Sequence, residues 1–400
     1  MPIVSLISTA LLSALIATQV VLLGYLLLLS ATALLARPRG IPAATRIRRF
    51  AVLVPAHNEA GVITRVLASL GRLDYPPESV DVCVVADNCD DATAALARAR
   101  GARVYERFDA TDRAKGFALR WLIQQLETEG LTYDAYVVVD ADSVLAENFL
   151  HAMNARLEGG AQAIQAYYSV LNPGRSSVAG LRYAALAAVH YLRPLGRAYF
   201  GLSAGLKGNG MCFTAAILKR FDWRWFTLAE DVEFHLALVE QGVVVRFAPE
   251  TWVKADMPVT LRQAASQNAR WETGRLQLIR RHVPRLLWLG MRGRSWVQLD
   301  AAAEQLIPPL SVPFALSAVA VGGALLVGNL GLAAIAAACV IGYVLYLLVA
   351  LALVQAPFSI YLTLGMAPAY VVWKVALYAR SLLSPRATAW VRTARTATPD

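Results

Sequence analysis

Two stretches of this chain lack charge altogether: residues 1–36 and 305–373 hold no Asp, Glu, Lys or Arg. Over all 400 residues only 16% are charged and 57% are hydrophobic, against about 25% and 45–50% in a soluble protein. Outside the two stretches, the 38 basic and 28 acidic residues reach a density of about 22%, close to the soluble norm. That pattern excludes a purely soluble enzyme, a disordered chain and a transporter without an extramembrane body. The uncharged stretches also lack any ionisable residue that would mark an ion path, which argues against a transport-only role. Cysteine is scarce: Cys83, Cys89, Cys212 and Cys339 show no CxxC or zinc-type spacing. The five histidines form no HExxH pair, so a metal would have to rest on oxygen ligands. No GxGxxG or GxxxxGK[ST] follows a strand, which leaves a dinucleotide fold and a P-loop unsupported. There is no internal repeat and no low-complexity linker.

What is present is a soluble-type domain set between apolar blocks. A membrane-spanning helix needs about 20 apolar residues. Residues 3–29 supply one such run, too long and too weakly basic at its start for a cleaved signal peptide. Residues 306–327 and 332–354 supply two more, and 358–377, with Pro368 and Lys374, reads as a span or an interfacial helix. Arg37, Arg39, Arg46, Arg48 and Arg49 follow the first block, eight arginines fall within 262–294, and Lys374, Arg380, Arg386, Arg392 and Arg395 mark the C-terminal end. The basic excess flanks the membrane, so the positive-inside rule makes these flanks cytoplasmic. Three spans with an interfacial C-terminal helix follow, in a multi-pass protein of the cell membrane with its domain in the cytoplasm. Nucleic acid is not an expected partner, because that needs a basic stripe on the folded domain; lipid phosphates account for the arginines. The expected units are an N-terminal span (1–36), the cytoplasmic domain (50–260), amphipathic interfacial helices (261–304), two spans (305–356) and a C-terminal membrane or interfacial helix with a basic tail (357–400).

Within the domain, residues 50–55 (FAVLVP), 80–86 (VDVCVVA), 102–107 and 135–139 (AYVVV) are short apolar runs that read as strands. Between them 62–70, 93–100 and 116–127 read as helices. This alternation predicts a mostly parallel, doubly wound α/β sheet, in which ligands bind at the carboxyl ends of the strands. Three such ends carry polar residues: His57-Asn58-Glu59, Asp87-Asn88 and Asp140-Ala141-Asp142.

Asp140 and Asp142 are hard oxygen donors suited to Mg²⁺ or Mn²⁺, with substrate phosphates completing the shell; taken alone, such a pair more often marks a helix-capping turn. Asp231, beside Glu230, suits a general base, while Thr227 to Glu230 also fits a capping box. Gln267, Arg270 and Trp271 share one helix face, which offers a phosphate a guanidinium and a sugar or lipid a flat wall. The bland alternative is an interfacial helix. Gly208, Asn209 and Gly210 form a tight loop open to close approach, although taken alone an ordinary turn is the commoner meaning, and Lys115 opens a helix where it could meet a phosphate or simply be solvated.

The ordered series PAHNE (55–59), VVADNCDD (84–91), KGFAL (115–119), VVVDADS (137–143), KGNGMCF (207–213), AEDVEF (229–234) and QNARW (267–271) resembles the membrane-bound family 2 glycosyltransferases. These are relatives of the cellulose, chitin and hyaluronan synthases, and AWVRTAR (389–395) is similar to their cytoplasmic tail. The resemblance implies a GT-A α/β domain with transmembrane and interfacial α-helices. It implies Ala56, Glu59 and Asp87 around a uridine, Lys115 near the diphosphate, and Asp140 facing ribose and metal. Asp142 would bind Mn²⁺ or Mg²⁺, and Gly208, Asn209 and Gly210 would border donor sugar and acceptor. Asp231 would be the base, with Glu230 beside it in the same motif, and Gln267, Arg270 and Trp271 would cover the pyrophosphate.

The expected reaction is inverting, metal-dependent transfer from a nucleotide-sugar, with UDP the expected carrier, to a lipid-linked or membrane-proximal glycan. Alternatives are a processive synthase of a β-linked polysaccharide and a non-catalytic scaffold of a glycan-export complex. The chain departs from the family pattern at Ala229, where Thr is usual, and lacks an FxVTxK-type gating segment. With so few spans, limited transfer is favoured over a self-contained polymer channel, unless the chain oligomerises or has partner membrane subunits.

Overall fold

The computed structural model describes residues 2–36, 40–41, 44–227 and 229–383, and gives the backbone alone at 2–5, 266, 269, 270 and 381–383. The tail sequence 389–395 and Arg37, Arg39, Arg386, Arg392 and Arg395 lie outside the described residues.

Eight strands build one sheet: β1 Phe50–Ala56, β2 Val80–Asp87, β3 Arg103–Arg107, β4 Ala135–Val138, β5 Ser143–Leu145, β6 Ala163–Val170, β7 Met211–Thr214 and β8 Val245–Ala255. Their order is β3-β2-β1-β4-β7-β6-β8-β5. The first four strands are the apolar runs legible in the sequence, and they pair in parallel as expected. Beyond β4 the sheet is mixed, yet four of its seven strand pairings, β6 with β8 among them, are parallel, in line with the mostly parallel expectation. β7 runs antiparallel to β4 and β6, and β5 antiparallel to β8. The strand–helix alternation that signals parallel pairing stops at β4. β6 is buried along its whole length, and β5 and β7 are only three and four residues long, so no periodicity announced their direction.

The core lies on both faces of the sheet. Val52, Leu53 and Val54 of β1, Val84 of β2 and Val137 of β4 are fully buried. Helix Ile63–Leu70 presents Ile63, Val66, Leu67 and Leu70 to this core. Helix Lys115–Thr128 presents Ala118, Leu119, Leu122 and Leu126, the three-and-four spacing of an amphipathic helix.

Among the described residues, three helical segments are long and apolar enough to cross a membrane: Leu6–Leu35, Leu330–Leu353 and Phe358–Arg380. A fourth candidate is the pair Trp296–Leu306 and Ser311–Leu326, bent by 65°. The expected continuous span at 306–327 is therefore broken, because Pro308 and Pro309 cannot continue the helical hydrogen-bond ladder. Ser311–Leu326, at 16 residues, is about 24 Å long, short of the ~30 Å hydrocarbon core. Conversely, the segment expected to lie at the interface passes the test for a span. The helices are tied to one another by side chains: Tyr343 donates to Gln19 Oε1 (3.0 Å), and Tyr25 to Asp300 Oδ1 (2.6 Å).

Candidate active site

Because β1, β2 and β4 are parallel, their carboxyl ends lie on one edge, bringing His57, Asp87 and Asp140 together. The antiparallel register of β4 with β7, Val138 opposite Met211, brings the loop before β7 to that same edge. Asn209 closes the junction. Its Oδ1 accepts the Asp140 amide N–H (3.1 Å), and its Nδ2 donates to Ser143 Oγ (2.8 Å). Gln165 of β6 braces the loop, donating to the Asn209 carbonyl (2.8 Å) and accepting from the Lys207 amide (2.8 Å). Lys115, at the start of its helix, bridges the two loops. Its Nζ lies 2.5 Å from Asp140 Oδ1 and 2.5 Å from the Gly208 carbonyl.

One cavity of about 1790 Å³ runs from this edge to the apolar helices. Ala56, Glu59, Asp87, Lys115, Asp140, Asp142, Gly208, Glu230, Asp231, Gln267 and Trp271 all line it, as do Tyr343, Leu347 and Pro368. Asn209 is fully buried behind the wall. Gly210 is also behind it, where an added Cβ would meet Val253 Cγ1 at 2.5 Å. Arg270 falls in helix Leu261–Gly293, and its side chain lies outside the described residues.

At the nucleotide end, Asp87 is held by Arg107, whose Nη1 is 2.6 Å from Asp87 Oδ1; both side chains are buried. The Glu59 amide donates to Thr93 Oγ1 (2.8 Å), fixing the turn after β1. Asp140 and Asp142 are a hard-donor pair. Among the described residues no group of three or more His, Cys, Asp or Glu side chains is arranged to hold a metal. Two carboxylates suffice for an ion that takes its other ligands from substrate phosphates and water, so the residues fit Mn²⁺ or Mg²⁺.

Glu230 and Asp231 open helix Glu230–Glu240. The capping box does not form: the cap is Ala229, without a side-chain bond, and Thr227 instead donates to Glu233 Oε2 (2.9 Å). Glu230 is thereby left on the cavity wall. Burial, then the adjacent Asp231 carboxylate, pushes Glu230 up to about 7. Burial also raises Asp231, opposed by the Val232 amide and by Lys115 and Lys207. Burial disfavours the Lys115 charge, but Asp140, Glu230 and Asp231 outweigh it and hold the ammonium above its ordinary range. Gly208, at φ +78°, lies against Asp231; a Cβ there would sit 3.2 Å from Asp231 Oδ2.

A sequence profile described as Glycosyltransferase like family 2 matches residues 48–274. The chain belongs to that family. It is 24% identical over 237 residues to the probable glycosyltransferase YdaM of Bacillus subtilis, covering 56% of this chain and 55% of that protein. It is 22% identical over 245 residues to glucomannan 4-beta-mannosyltransferase 7 of Arabidopsis thaliana, covering 58% of this chain and 43% of that protein. The chain thus spans about half the length of these relatives. Among solved structures it resembles mannosyltransferase PcManGT from Pyrobaculum calidifontis in complex with GDP-Man and Mn²⁺. The TM-score is 0.60 at 19% identity, covering 93% of this chain and 99% of that one. The shared fold is the GT-A-like α/β domain with apolar helices.

On this family 2 domain, several cavity residues escaped the sequence reading. Arg182 donates to Gln267 Oε1 (2.8 Å) and stands 5.0 Å over the Trp271 ring. Arg193 and Arg197 meet Asp300 and Glu304, which come from helix Trp296–Leu306, the first arm of the bent pair. One signal was available: basic residues at 182, 193 and 197 in an otherwise apolar helical stretch with no acidic neighbour to pair them. Nothing in the sequence points to Arg107 as the partner of Asp87.

Proposed function

We propose that the chain transfers a hexosyl or N-acetylhexosaminyl group from a nucleoside-diphosphate sugar to a hydroxyl of a lipid-linked or membrane-proximal glycan, with inversion. The observation that carries this reading is the continuous cavity, with Asp87, Asp140 and Asp142 at one end, apolar-helix residues at the other, and Asp231 between them.

In this reading Ala56, Glu59 and Asp87 hold a uridine, with Arg107 orienting the Asp87 carboxylate. Lys115 faces the diphosphate, and Gln267, Arg270 and Trp271 cover the pyrophosphate and acceptor end. Gly208, Asn209 and Gly210 keep side chains away from the donor sugar. Asp142, with Asp140, would hold Mn²⁺ or Mg²⁺, which would neutralise charge on the departing diphosphate. The acceptor hydroxyl gives its proton to Asp231 as its oxygen bonds to the anomeric carbon. The bond from that carbon to the β-phosphate oxygen breaks, and the nucleoside diphosphate leaves with the electron pair. Burial and the neighbouring Asp231 carboxylate push Glu230 up to about 7, while the Val232 amide, Lys115 and Lys207 favour the charged form of Asp231, which suits it to accept the proton. A retaining double displacement would need a second, nucleophilic carboxylate. A cytoplasmic domain and a cytoplasmic C-terminal end require an odd number of crossings, so the bent pair would be re-entrant.

The test is a panel of UDP-, GDP- and dTDP-sugars with the detergent-purified full chain, scored for Mn²⁺-dependent nucleotide release. UDP-sugars are expected to react, and Asp231→Asn to lose release at least a thousandfold while still binding nucleotide. Reaction with GDP-mannose alone would overturn the uridine assignment at Asp87. An active Asp231→Asn would overturn the base. The similarity to a glucomannan mannosyltransferase supports a second reading, a processive synthase, which a ladder of long products would identify.

A further inference from the structure

The membrane side of the cavity, beyond Asp231, carries an excess of positive charge whose location can be narrowed to two side chains. Arg197 lies 3.0 Å from Asp300 and also pairs with Glu304. Arg193 lies 3.6 Å from Glu304 and donates to the Tyr346 hydroxyl (2.8 Å). Lys374 is 3.0 Å from Glu272. Arg275 is spent on the carbonyls of Glu304, Gln305 and Ile307, where the helix Trp296–Leu306 ends. Apart from the exposed Arg175, two cations on this wall form no ion pair with a carboxylate among the described residues, although Lys207 lies within electrostatic reach of Glu304 and Asp231. Lys207 Nζ makes no hydrogen bond or ion pair there. Arg182, 4% exposed, meets no carboxylate: its partners are Gln267 Oε1 at 2.8 Å, Met257 Sδ at 3.7 Å, the Trp271 ring and the Tyr370 hydroxyl, and its Nε finds none.

A buried cation without an ion-pair partner is costly. Burial accordingly pushes Lys207 down to about 8. His190 lies within electrostatic reach of Lys207, Arg182 and Arg193, and is driven down to about 3 by burial and then by those charges. It is therefore neutral and supplies no counter-charge. The donor end does not need these cations, because Lys115 already stands beside Asp140 there. Past them the wall is formed by Leu347, Leu364 and Pro368, so an occupant must join an anion to an apolar tail.

We propose that Lys207 and Arg182 form a subsite for a phosphate carried on the lipid-linked acceptor. This rests on the glycosyl-transfer reading above, and it adds the chemical class of the acceptor.

The test uses the full chain in detergent micelles and reads the thermal midpoint. The probes are didecanoyl phosphatidic acid, didecanoylglycerol, inorganic phosphate and the nucleoside diphosphate identified by the donor panel. Phosphatidic acid is expected to stabilise the protein, and didecanoylglycerol is not. Lys207→Ala and Lys207→Gln should each weaken the phosphatidic acid response at least tenfold, while Lys207→Arg stays within about threefold. Arg182→Gln should weaken it similarly. Asp231→Asn, which removes a negative charge near Lys207, should bind phosphatidic acid at least as well as the native chain does, so failure of the base and failure of this subsite are read separately. Nucleotide affinity should not change in Lys207→Ala. Equal stabilisation by didecanoylglycerol, or unaltered lipid response in both Lys207 variants, would overturn the subsite. Inorganic phosphate binding as tightly as phosphatidic acid would overturn its lipid source. Loss of nucleotide binding in Lys207→Ala would assign the ammonium to the donor instead.

Discussion

Gly208→Ala isolates the contact between the loop before β7 and the proposed base. Gly208 has φ +78°, and Gly242, in the turn after helix Glu230–Glu240, has φ +76°. A side chain in that left-handed region costs roughly 1–2 kcal/mol. At about 2–4 °C per kcal/mol for a domain of this size, each alanine variant should lower the unfolding midpoint by about 2–8 °C. The two differ in what the new methyl meets. At Gly242 nothing lies within 4 Å, whereas at Gly208 Asp231 Oδ2 is 3.2 Å away. The carboxylate must then shift by a few tenths of an ångström. If a displacement of 1 Å costs about a hundredfold in rate, this shift should cost about three- to tenfold. Nucleotide release at saturating donor, measured beside the midpoint, separates the effects: Gly242→Ala should lose stability alone, and Gly208→Ala both stability and rate. Equal rates in the two variants would refute the positioning of Asp231 by this loop.

Glu230, raised to about 7, folds more favourably as the neutral acid. Its contribution is complete below the ordinary carboxylate range and is lost as pH rises through 7. The native midpoint should therefore fall relative to that of Glu230→Gln between pH 5 and 8, as followed by thermal scans across that range. Arg107→Met leaves the Asp87 carboxylate buried without its guanidinium. Such a loss costs about 3–5 kcal/mol, so a large fall in midpoint and weaker nucleotide binding are expected, with Asp87→Asn in the Arg107→Met background restoring part of the midpoint. Chelation with EDTA should abolish nucleotide release and Mn²⁺ should restore it. A metal-independent rate would remove the assigned role of Asp142.

Much of the nucleotide end was legible locally. β1, β2 and β4 are apolar runs of buried strand length, and the polar residues that follow them fall at one edge once the strands are parallel. Gln267 and Trp271 share a face because helical spacing is a local property. The pairing of β7 was not legible, because the register joining Val138 to Met211 is set by packing across a long excursion of chain. That register brings Lys207 and Gly208 to Asp140 and Asp231.

The sequence by itself determined which segments are apolar enough to cross a membrane, which strands carry the acidic ends and the family to which they belong, since each depends on composition or on short-range spacing. Only the tertiary structure decided that Arg107 holds Asp87, that Asp300 and Glu304 neutralise Arg193 and Arg197, and that Lys207 stands near Asp231 and Glu304 without forming an ion pair. Charge neutralisation in a buried site depends on which side chains come within about 4 Å. That proximity belongs to the packed fold and has no period along the chain.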